Sequence, residues 1–296
     1  GFTVQKIKYF FLFLLIPLTI IESNCSQQYD IVITGGIIYD GTGESPYEAN
    51  IGIKEGYIAE IGDIDASQGI SVVDAAGLYI APGFIDVHTH CDRNLTNPDL
   101  KSAQNYLTQG VTTVVTGNCG SGTYEVGEYF STLEEQGIGP NVIHLVGHGR
   151  VRGEVLGSAD REPTSEELGK MKQLVAKGME EGAVGLASGL FYSPGSFAKT
   201  EEVIELARVS GEYDGIYASH IRDESNYSTG LKASIEEAIE IGEKAGVPVE
   251  ISHIKALGKP VWGMAEEITE VIENAQQRGV RVYADQYPYV ASSTGL

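Results

Sequence analysis

The chain has 296 residues, of which 42% are hydrophobic and 21% charged, so it is long enough to bury a large core and is not a disordered protein. Its 20 Lys and Arg residues against 41 Asp and Glu residues give a formal net charge of −21. Such an acidic surface repels phosphate backbones and anionic lipids, which excludes binding to nucleic acid or to a membrane surface through a basic patch.

Residues 1–25 have the pattern of an export signal. Lys6 and Lys8 precede an apolar run, Tyr9–Ile21, of 13 residues, whereas a membrane-spanning helix needs about 20. Cys25 follows, and its position resembles that of the lipid-attachment cysteine of bacterial lipoproteins, although Glu22 stands where a small or apolar residue is usual. We therefore predict an exported protein, either periplasmic or anchored to a bacterial membrane by a lipid on Cys25. Ordinary cleavage nearby is the alternative.

Residues 29–82 are a series of short strand-like runs separated by turns. Apolar residues alternate with polar or small ones in Asp30–Thr34, Ile51–Ile53 and Tyr57–Ile61, with glycine-containing turns between them. Alternation with this turn spacing predicts a small all-β domain, a β-sandwich.

From Gly83 onward, strand-like runs alternate with amphipathic helices. Thr164 and Glu167 form a capping box ahead of one such helix, and Gly246 closes another. Repeated βα units predict an α/β fold with a parallel sheet or barrel over residues 83–296. A closed (β/α)8 TIM-type barrel needs eight strands, so we expect an incomplete barrel with about seven βα units. The seven apolar strands begin near Phe84, Val111, Val142, Ala183, Gly215, Val247 and Val280.

Four of the six histidines lie at the carboxyl ends of predicted strands. His88 and His90 share one face of the first strand, because side chains along a strand alternate with a period of two. Cys119 closes the second strand, His220 the fifth and His253 the sixth. Since these strand ends meet at one mouth of a barrel, the five side chains predict a metal site. Imidazoles and a thiolate favour zinc and leave positions open for water and substrate.

The other two histidines and a second cysteine receive no ligand role. His144 and His148 are assigned to the third predicted strand, where His144 is expected to be packed. His148 is either structural or at the rim of the mouth. Cys91 lies one step off the face that carries His90 and is expected to be a buried free thiol.

The motifs resemble those of the amidohydrolase superfamily. Ala81–His90 is similar to the first-strand signature of that superfamily, and Tyr29–Tyr79 is similar to its small β-domain. Other segments resemble the N-acyl-D-amino-acid deacylases, or D-aminoacylases, within it. In chain order these are Thr116–Gly120, Ala187–Gly195, Ser219–Glu224, Ser252–Gly258 and Ala284–Tyr289. Other superfamily members bridge two metal ions with a carboxylated lysine on the fourth strand. Residues 183–195 contain no lysine, whereas Cys119 is available as the bridge.

The resemblance implies how the metal would be held. Cys119, His220 and His253 would bind one zinc ion tightly. His88 and His90, together with Cys119, would form a weaker second site.

The resemblance also implies a substrate site. Lys255 would meet the carboxylate of the substrate, Tyr287 and Ser293 would assist it, and Tyr192 would line the pocket. The segment Arg222–Glu224 is interpreted instead as a structural set of ion pairs.

Taken together, the resemblance implies zinc-dependent hydrolysis of N-acyl-D-amino acids to a D-amino acid and a carboxylate. Such hydrolysis needs a general base and a general acid, which the resemblance places in one aspartate at the end of an eighth strand, beyond Leu296. It gives Asp285 a structural role. We therefore expect the full-length parent to be the active form and the 296 residues alone to be inactive.

Two alternatives to this function stay open. One is a different amidohydrolase, such as a D-dipeptidase or a cyclic-amide hydrolase. The other is an exported metal-binding protein without catalytic activity, which the retention of all five candidate ligands argues against.

Overall fold

The computed structural model describes residues 28–294, so the predicted export signal and Cys25 lie outside the described residues. Contacts between residues divide the chain into two compact units, with the division between Pro82 and Gly83. Within residues 28–294, no helix combines the length and the hydropathy needed to cross a membrane.

The first unit consists of short strands in two sheets. In the four-stranded sheet, of order β5-β4-β1-β6, β1 is antiparallel to β4 and parallel to β6. The second sheet has the order β3-β2-β7. The buried cluster of this first unit contains Tyr29 and Val32 of β1 together with Ile64. The strands are β1 (Tyr29–Thr34), β2 (Ile37–Ile38), β3 (Tyr47–Glu48), β4 (Asn50–Lys54), β5 (Tyr57–Gly62), β6 (Gly69–Asp74) and β7 (Tyr79–Ile80).

The strands of the second unit are all paired in parallel. They form the sheets β10-β9-β8 and β11-β12-β13-β14-β15. β10 and β11 flank Leu145, whose N–H donates to the Thr116 carbonyl, so together they act as one strand between β9 and β12. The strands are β8 (Phe84–Asp86), β9 (Val111–Thr116), β10 (Asn141–His144), β11 (Val146–Gly147), β12 (Gly185–Gly189), β13 (Ile216–His220), β14 (Val249–Ile251) and β15 (Val282–Ala284).

Helices separate the successive strands of this unit. They are α1 (Asp92–Leu95), α2 (Gln104–Leu107), α3 (Val126–Gln136), α4 (His148–Leu156), α5 (Ser165–Glu180), α6 (Thr200–Gly211), α7 (Leu231–Ala245) and α8 (Ala265–Gln277). The predicted capping box of Thr164 and Glu167 is present at the start of α5. Gly246 ends α7 in the left-handed conformation, with φ of 77°. Both sequence-based helix boundaries are therefore confirmed.

The core of the second unit lies between its strands and its helices. Leu186, Tyr217 and Val249 on the strands are fully buried there with side chains from the helices, such as Met171 and Ile235. A smaller cluster packs on the opposite side of the strands and contains Val115, Leu145, Ala187 and Ala218. The strands thus carry buried apolar side chains on both faces, as parallel strands generally do.

The assignment of His148 to the third strand is wrong. The strand ends at Gly147, and His148 is the first residue of α4. The sequence turns polar at this boundary, with Gly149 and Arg150 after His148, although His148 and Val151 in the first turn of α4 are buried. The strand assignment therefore extended one residue too far.

Candidate metal centre

Cys119 lies at the centre of the cluster of predicted ligands. Its Sγ is 3.5 Å from His88 Nε2, 3.5 Å from His253 Nε2 and 3.6 Å from His220 Nδ1. These side chains come from the segments that follow β8 and β9, from the end of β13 and from the segment that follows β14. The carboxyl ends of four parallel strands therefore meet around one thiol.

These spacings fit a zinc ion. A tetrahedral zinc with Zn–S of about 2.3 Å and Zn–N of about 2.05 Å places its sulfur and nitrogen ligands about 3.5 Å apart. Sγ and the three imidazole nitrogens have that separation. Donor atoms of His88, Cys119 and His253 also lie within 4.8 Å of one another, as do those of a second set, His220, Glu224 and His253. The donors are therefore of the type that zinc prefers, and the distances from Sγ to the three imidazole nitrogens are those of zinc ligands.

The grouping of ligands differs in part from the one implied by the resemblance. His88 contacts Cys119 as closely as His220 and His253 do. His90 lies beside His88, with ring centroids 5.3 Å apart, but it is exposed and belongs to neither close set of donors. Which histidines hold a tight ion and which a weaker one therefore stays a prediction.

The loop that carries Cys119 is held in an unusual backbone conformation. Cys119 has φ of 54° and Gly117 has φ of 85°, both in the left-handed region. At Gly117 a Cβ atom would lie 2.1 Å from the Leu145 carbonyl oxygen, so only glycine fits. The Asp92 carboxylate accepts the Gly117 N–H at 2.8 Å. The buried Asn118 amide donates to the Val115 carbonyl at 3.0 Å. The backbone conformation and these two hydrogen bonds thus fix the position of the Cys119 thiol.

Asp285 supports two of the histidines. Its Oδ1 accepts the backbone N–H of His253 at 2.7 Å, and its Oδ2 lies 3.2 Å from His88 Nδ1. His253 has φ of 38°, a strained value for a residue other than glycine. A carboxylate behind the ring nitrogen that faces away from the metal is the usual way in which a metal-binding histidine is oriented. This arrangement agrees with the structural role expected for Asp285.

Glu224 lies inside the cluster rather than outside it. Its Oε1 is 3.0 Å from His253 Nδ1 and 3.9 Å from His220 Nε2, and the ammonium of Lys255 pairs with the same oxygen. Burial raises the pKa of Glu224, but contacts with His253, His220 and Lys255 outweigh burial and lower that pKa to about 2. Glu224 is therefore a carboxylate anion that faces two imidazole rings and one ammonium group.

The protonation states of two candidate ligands follow from their burial. Burial lowers the pKa of His220 to about 3, so the ring is neutral at neutral pH, as metal binding requires. Burial raises the pKa of the Cys119 thiol to about 12, and the charges of Glu224 and Asp285 raise it further. In a metal-free protein Cys119 therefore keeps its proton, and a bound cation would have to displace it.

The predicted substrate residues line one cleft with the metal-binding side chains. The cleft has a volume of about 1970 Å³, and Lys255, Tyr192, Tyr287 and Ser293 all contribute to its wall. The Tyr192 ring lies 4.7 Å from the His220 ring, and the Lys255 ammonium lies 5.6 Å from the centre of the Tyr287 ring. The structure therefore brings these four side chains to the side of the cluster that a substrate could reach.

The other histidines and Cys91 lie away from this cluster. His144 is buried and is hydrogen bonded through Nδ1 to Thr116 Oγ1 at 2.8 Å. His148 is fully buried and contacts Glu202 at 2.9 Å, so it does not reach the rim. Cys91 is buried beside the Thr89 hydroxyl, and burial raises the pKa of its thiol.

Two supporting residues, Glu224 and Asn118, were not found from the sequence as parts of the site. Glu224 was grouped with Arg222 and Asp223 as a structural ion-pair set. Arg222 does pair with Glu237, and Asp223 accepts backbone N–H groups of its own loop. Asn118 received no role of its own. Side chains that follow a strand leave no periodic signal, so only the fold shows which of them turn toward the metal ligands.

Comparisons with known proteins agree with this geometry. A sequence profile described as the amidohydrolase family matches residues 71–288. A D-aminoacylase from Alcaligenes xylosoxydans xylosoxydans is 37% identical over 294 residues, which is 92% of this chain and 60% of that protein. An N-acyl-D-glutamate deacylase from the same organism is 34% identical, over 91% of this chain and 59% of that protein.

A solved structure is also similar. The N-acyl-D-glutamate deacylase from Bordetella bronchiseptica, in complex with zinc and a phosphonate inhibitor that mimics the tetrahedral reaction intermediate, superimposes with a TM-score of 0.83. It is 35% identical, and the match covers 88% of this chain and 59% of that one. The chain thus spans about 60% of the length of the relatives that it matches. The similarity supports a TIM-barrel-like α/β fold for the parallel strands.

Proposed function

Because its sequence makes this chain a member of the amidohydrolase family, we propose that it carries the metal centre of a zinc-dependent N-acyl-D-amino-acid deacylase. The reaction would convert an N-acyl-D-amino acid to a D-amino acid and a carboxylate. In this proposal residues 83–296 belong to a (β/α)8 barrel of which about seven βα units are present, and residues 29–82 to a small β-sandwich domain.

One observation supports the proposal most directly. A single thiol lies 3.5–3.6 Å from three imidazole nitrogens at the mouth of a parallel strand array. A cysteine at the end of the second strand, in place of a lysine on the fourth, separates this arrangement from that of other amidohydrolases.

Cys119, His220 and His253 would hold one zinc ion tightly and leave a position open for water, and His88 and His90, together with Cys119, would hold a second and weaker ion. When bound, zinc supplies a Lewis acid that polarises the amide carbonyl and lowers the pKa of a water molecule to near neutrality. Asp285 would orient two of the ligands, since it accepts the backbone N–H of His253 and faces His88 Nδ1. We therefore do not assign proton transfer to it.

Lys255 would recognise the substrate's carboxylate. Its ammonium lines the cleft beside the cluster, near the Tyr287 ring, and Ser293 and Tyr192 lie on the same wall. An ammonium has three donors, of which Glu224 takes one in this structure. Two remain to face an anionic ligand in the cleft.

A binding experiment tests this function without depending on turnover. The zinc-loaded chain is titrated with a phosphonate analogue of an N-acyl-D-amino acid and with its L-enantiomer. We expect the D form to bind at least tenfold more tightly, and Lys255→Met to weaken its binding at least tenfold. Lys232→Met, which removes a lysine paired with Glu267 on the surface, is the matched control. Equal binding of both enantiomers would argue for another amidohydrolase.

Turnover is measured separately, with N-acetyl-D-methionine as substrate. The assay compares the 296-residue chain with the longest reading frame that contains it. Activity of the longer protein alone would agree with the expectation that the catalytic aspartate lies beyond Leu296. Clear activity of the chain as given would contradict that expectation.

Export and lipid attachment stay predictions of the sequence. We propose a periplasmic or membrane-anchored protein, in which Cys25 carries the lipid. Labelling with radioactive palmitate in a bacterial host, with Cys25→Ala as the control, is the direct measurement. Label that persists in Cys25→Ala would contradict the assignment.

A further inference from the structure

The Glu224 carboxylate lies at the point where the metal ligands and the proposed substrate lysine converge. Its residue is only 8% exposed. A single oxygen, Oε1, is 3.0 Å from His253 Nδ1, 3.9 Å from His220 Nε2 and paired with the Lys255 ammonium. No other carboxylate within residues 28–294 contacts both an imidazole of the cluster and this lysine.

The two rings present opposite nitrogens to Cys119 and to Glu224. Cys119 faces His253 Nε2 and His220 Nδ1, whereas Glu224 faces His253 Nδ1 and His220 Nε2. A nitrogen that binds metal must be free of its proton, so in a neutral ring the proton lies on the opposite nitrogen. In each ring, the nitrogen that faces Cys119 would bind the metal, and the N–H on the other nitrogen then points toward Glu224.

The short distance between Lys255 and His253 is explained by their shared contact with Glu224 Oε1. Lys255 Nζ is 2.9 Å from His253 Nδ1. If Nδ1 carries its proton, both atoms are donors and do not bond to each other. They are adjacent because both donate to Glu224 Oε1, which is an acceptor with two lone pairs.

We propose that Glu224 is a positioning residue that sets the tautomer of His253 for metal binding and at the same time fixes Lys255 at the wall of the cleft. For Lys255 this inference rests on the proposed function, whereas for His253 it needs only a metal. Loss of a group that orients a metal-binding histidine typically lowers metal affinity by about 10–100-fold.

Cobalt(II) binding is the first test. Glu224→Gln keeps the size of the side chain and removes its charge, and we expect cobalt affinity, followed by thiolate-to-cobalt absorption, to fall fivefold or more. Glu237→Gln is the matched control, since it removes a carboxylate that pairs with Arg222 and touches none of the candidate metal ligands. A fall of less than fivefold in Glu224→Gln, or an equal fall in the control, overturns the proposal. Circular dichroism of the metal-free proteins gives the folded fraction used to normalise each affinity.

Lys255→Met separates the two roles of Glu224. This variant leaves the contact between His253 and Glu224 in place, so we expect its cobalt affinity to stay within threefold of the unaltered protein. A larger loss would show that Lys255, rather than the carboxylate, controls the histidine, and would overturn the proposal.

Ring ¹⁵N NMR of the metal-free protein gives a signature that a merely structural role would not produce. We expect the His253 proton on Nδ1 in the unaltered chain and a shift of its population toward Nε2 in Glu224→Gln. A proton on Nε2 in the unaltered chain overturns the assignment. If the unaltered chain binds no cobalt through Cys119, the proposed function fails. If it does bind and Glu224→Gln does not differ, only this inference fails.

Discussion

At the scale of single residues, Asn118 connects the two segments that carry metal-binding side chains. Its amide nitrogen is 3.0 Å from the Val115 carbonyl and 3.5 Å from the carbonyls of Val87 and Thr89. Val87 and Thr89 flank His88, and Cys119 follows Asn118. One buried amide therefore ties the thiol loop to the strand end that carries His88.

Truncation of this side chain should loosen the metal centre. We expect Asn118→Ala to lower cobalt affinity about 10-fold or more, because the loop and the strand end lose their connection. It should also lower the free energy of unfolding by about 1–3 kcal/mol, since it removes the hydrogen bonds of a buried amide. Competition with a chelator and urea denaturation are the measurements.

Asn141→Ala is the matched control for Asn118→Ala. Asn141 donates to the Thr112 carbonyl from an exposed position at the other end of the neighbouring strand. If both variants lost cobalt affinity equally, the special role of Asn118 would be refuted.

Glu250 is an acidic residue on the inner face of a parallel strand. Val249 and Ile251 on either side of it are buried against the helices, so Glu250 faces the opposite side, where its neighbour in the sheet is Ala218. Burial, and then the charge of Asp285, raise the pKa of Glu250 to about 7. The ionised form is therefore disfavoured in the folded state.

The effect of Glu250 on stability should depend on pH with a definite sign. The raised pKa means that the folded state holds a proton which the unfolded state loses above about pH 4.5, so stability falls as pH rises from about 4.5 to 7. Glu250→Gln should match the unaltered protein at pH 4. At pH 8 it should be more stable by about 1–2 kcal/mol, a figure reduced for partial solvent screening.

Urea denaturation at several pH values measures this difference. Glu273→Gln, which removes an exposed glutamate on α8, is the matched control. A Glu250→Gln variant that is less stable than the unaltered chain at pH 8 would contradict this effect of the half-buried carboxylate.

At the scale of elements, the sequence predicted the ends of helices correctly where a capping side chain or a glycine marks the end. The capping box of Thr164 and Glu167 and the closing glycine at 246 both stand at the boundaries that the structure has. Side-chain oxygens and glycine act within a few residues, so a sequence reports them directly. The start of α4 at His148 has no side-chain cap, and there the prediction was wrong.

Two helical glycines differ in a way that only packing reveals. A Cβ atom at Gly242 in α7 would lie 1.9 Å from Val249 Cγ2, because the helix rests on β14 at that point. A Cβ atom at Gly169 in α5 would meet nothing within 4 Å. The two positions look equivalent in the sequence, since each interrupts an amphipathic helix.

Alanine substitution should therefore have opposite effects at these glycines. We expect Gly169→Ala to raise the free energy of unfolding by about 0.5–1 kcal/mol, through the better helix propensity of alanine. Gly242→Ala should lower it by about 1–3 kcal/mol, because the methyl group overpacks the interface between α7 and β14. Denaturant unfolding of both variants tests the pair, and stabilisation by Gly242→Ala would contradict the packing.

At the scale of the whole molecule, the repeat of strand and helix was the part of the fold most open to prediction. Each βα unit carries its own apolar strand and amphipathic helix, so the order of elements in residues 83–294 follows from local pattern. The centre at the strand ends was predicted for the same reason. The contacts of Glu224 and Asn118 were not, because they join residues distant in sequence whose spacing follows no period.

Metal bound at this centre would join four segments of the second unit. Its ligands lie between residues 88 and 253 and follow or end strands β8, β9, β13 and β14. A ligand that binds only the folded state adds about 2.7 kcal/mol of stability at a concentration 100 times its dissociation constant. The ligands come together only in the folded protein, so removal of zinc should lower the free energy of unfolding by this amount.

We therefore expect a chelator to lower the melting temperature by about 5–10 °C, with zinc restoring it. Cys119→Ala should melt at one temperature with or without zinc, because the thiol contacts all three imidazoles. Cys91→Ala is the matched control: this cysteine is also buried but lies outside the cluster, so the zinc-dependent rise should persist even if the variant is less stable. Calorimetry measures these melting temperatures, and metal analysis gives the zinc content of each variant. A zinc-dependent rise that survives in Cys119→Ala and is lost in Cys91→Ala would place the metal elsewhere.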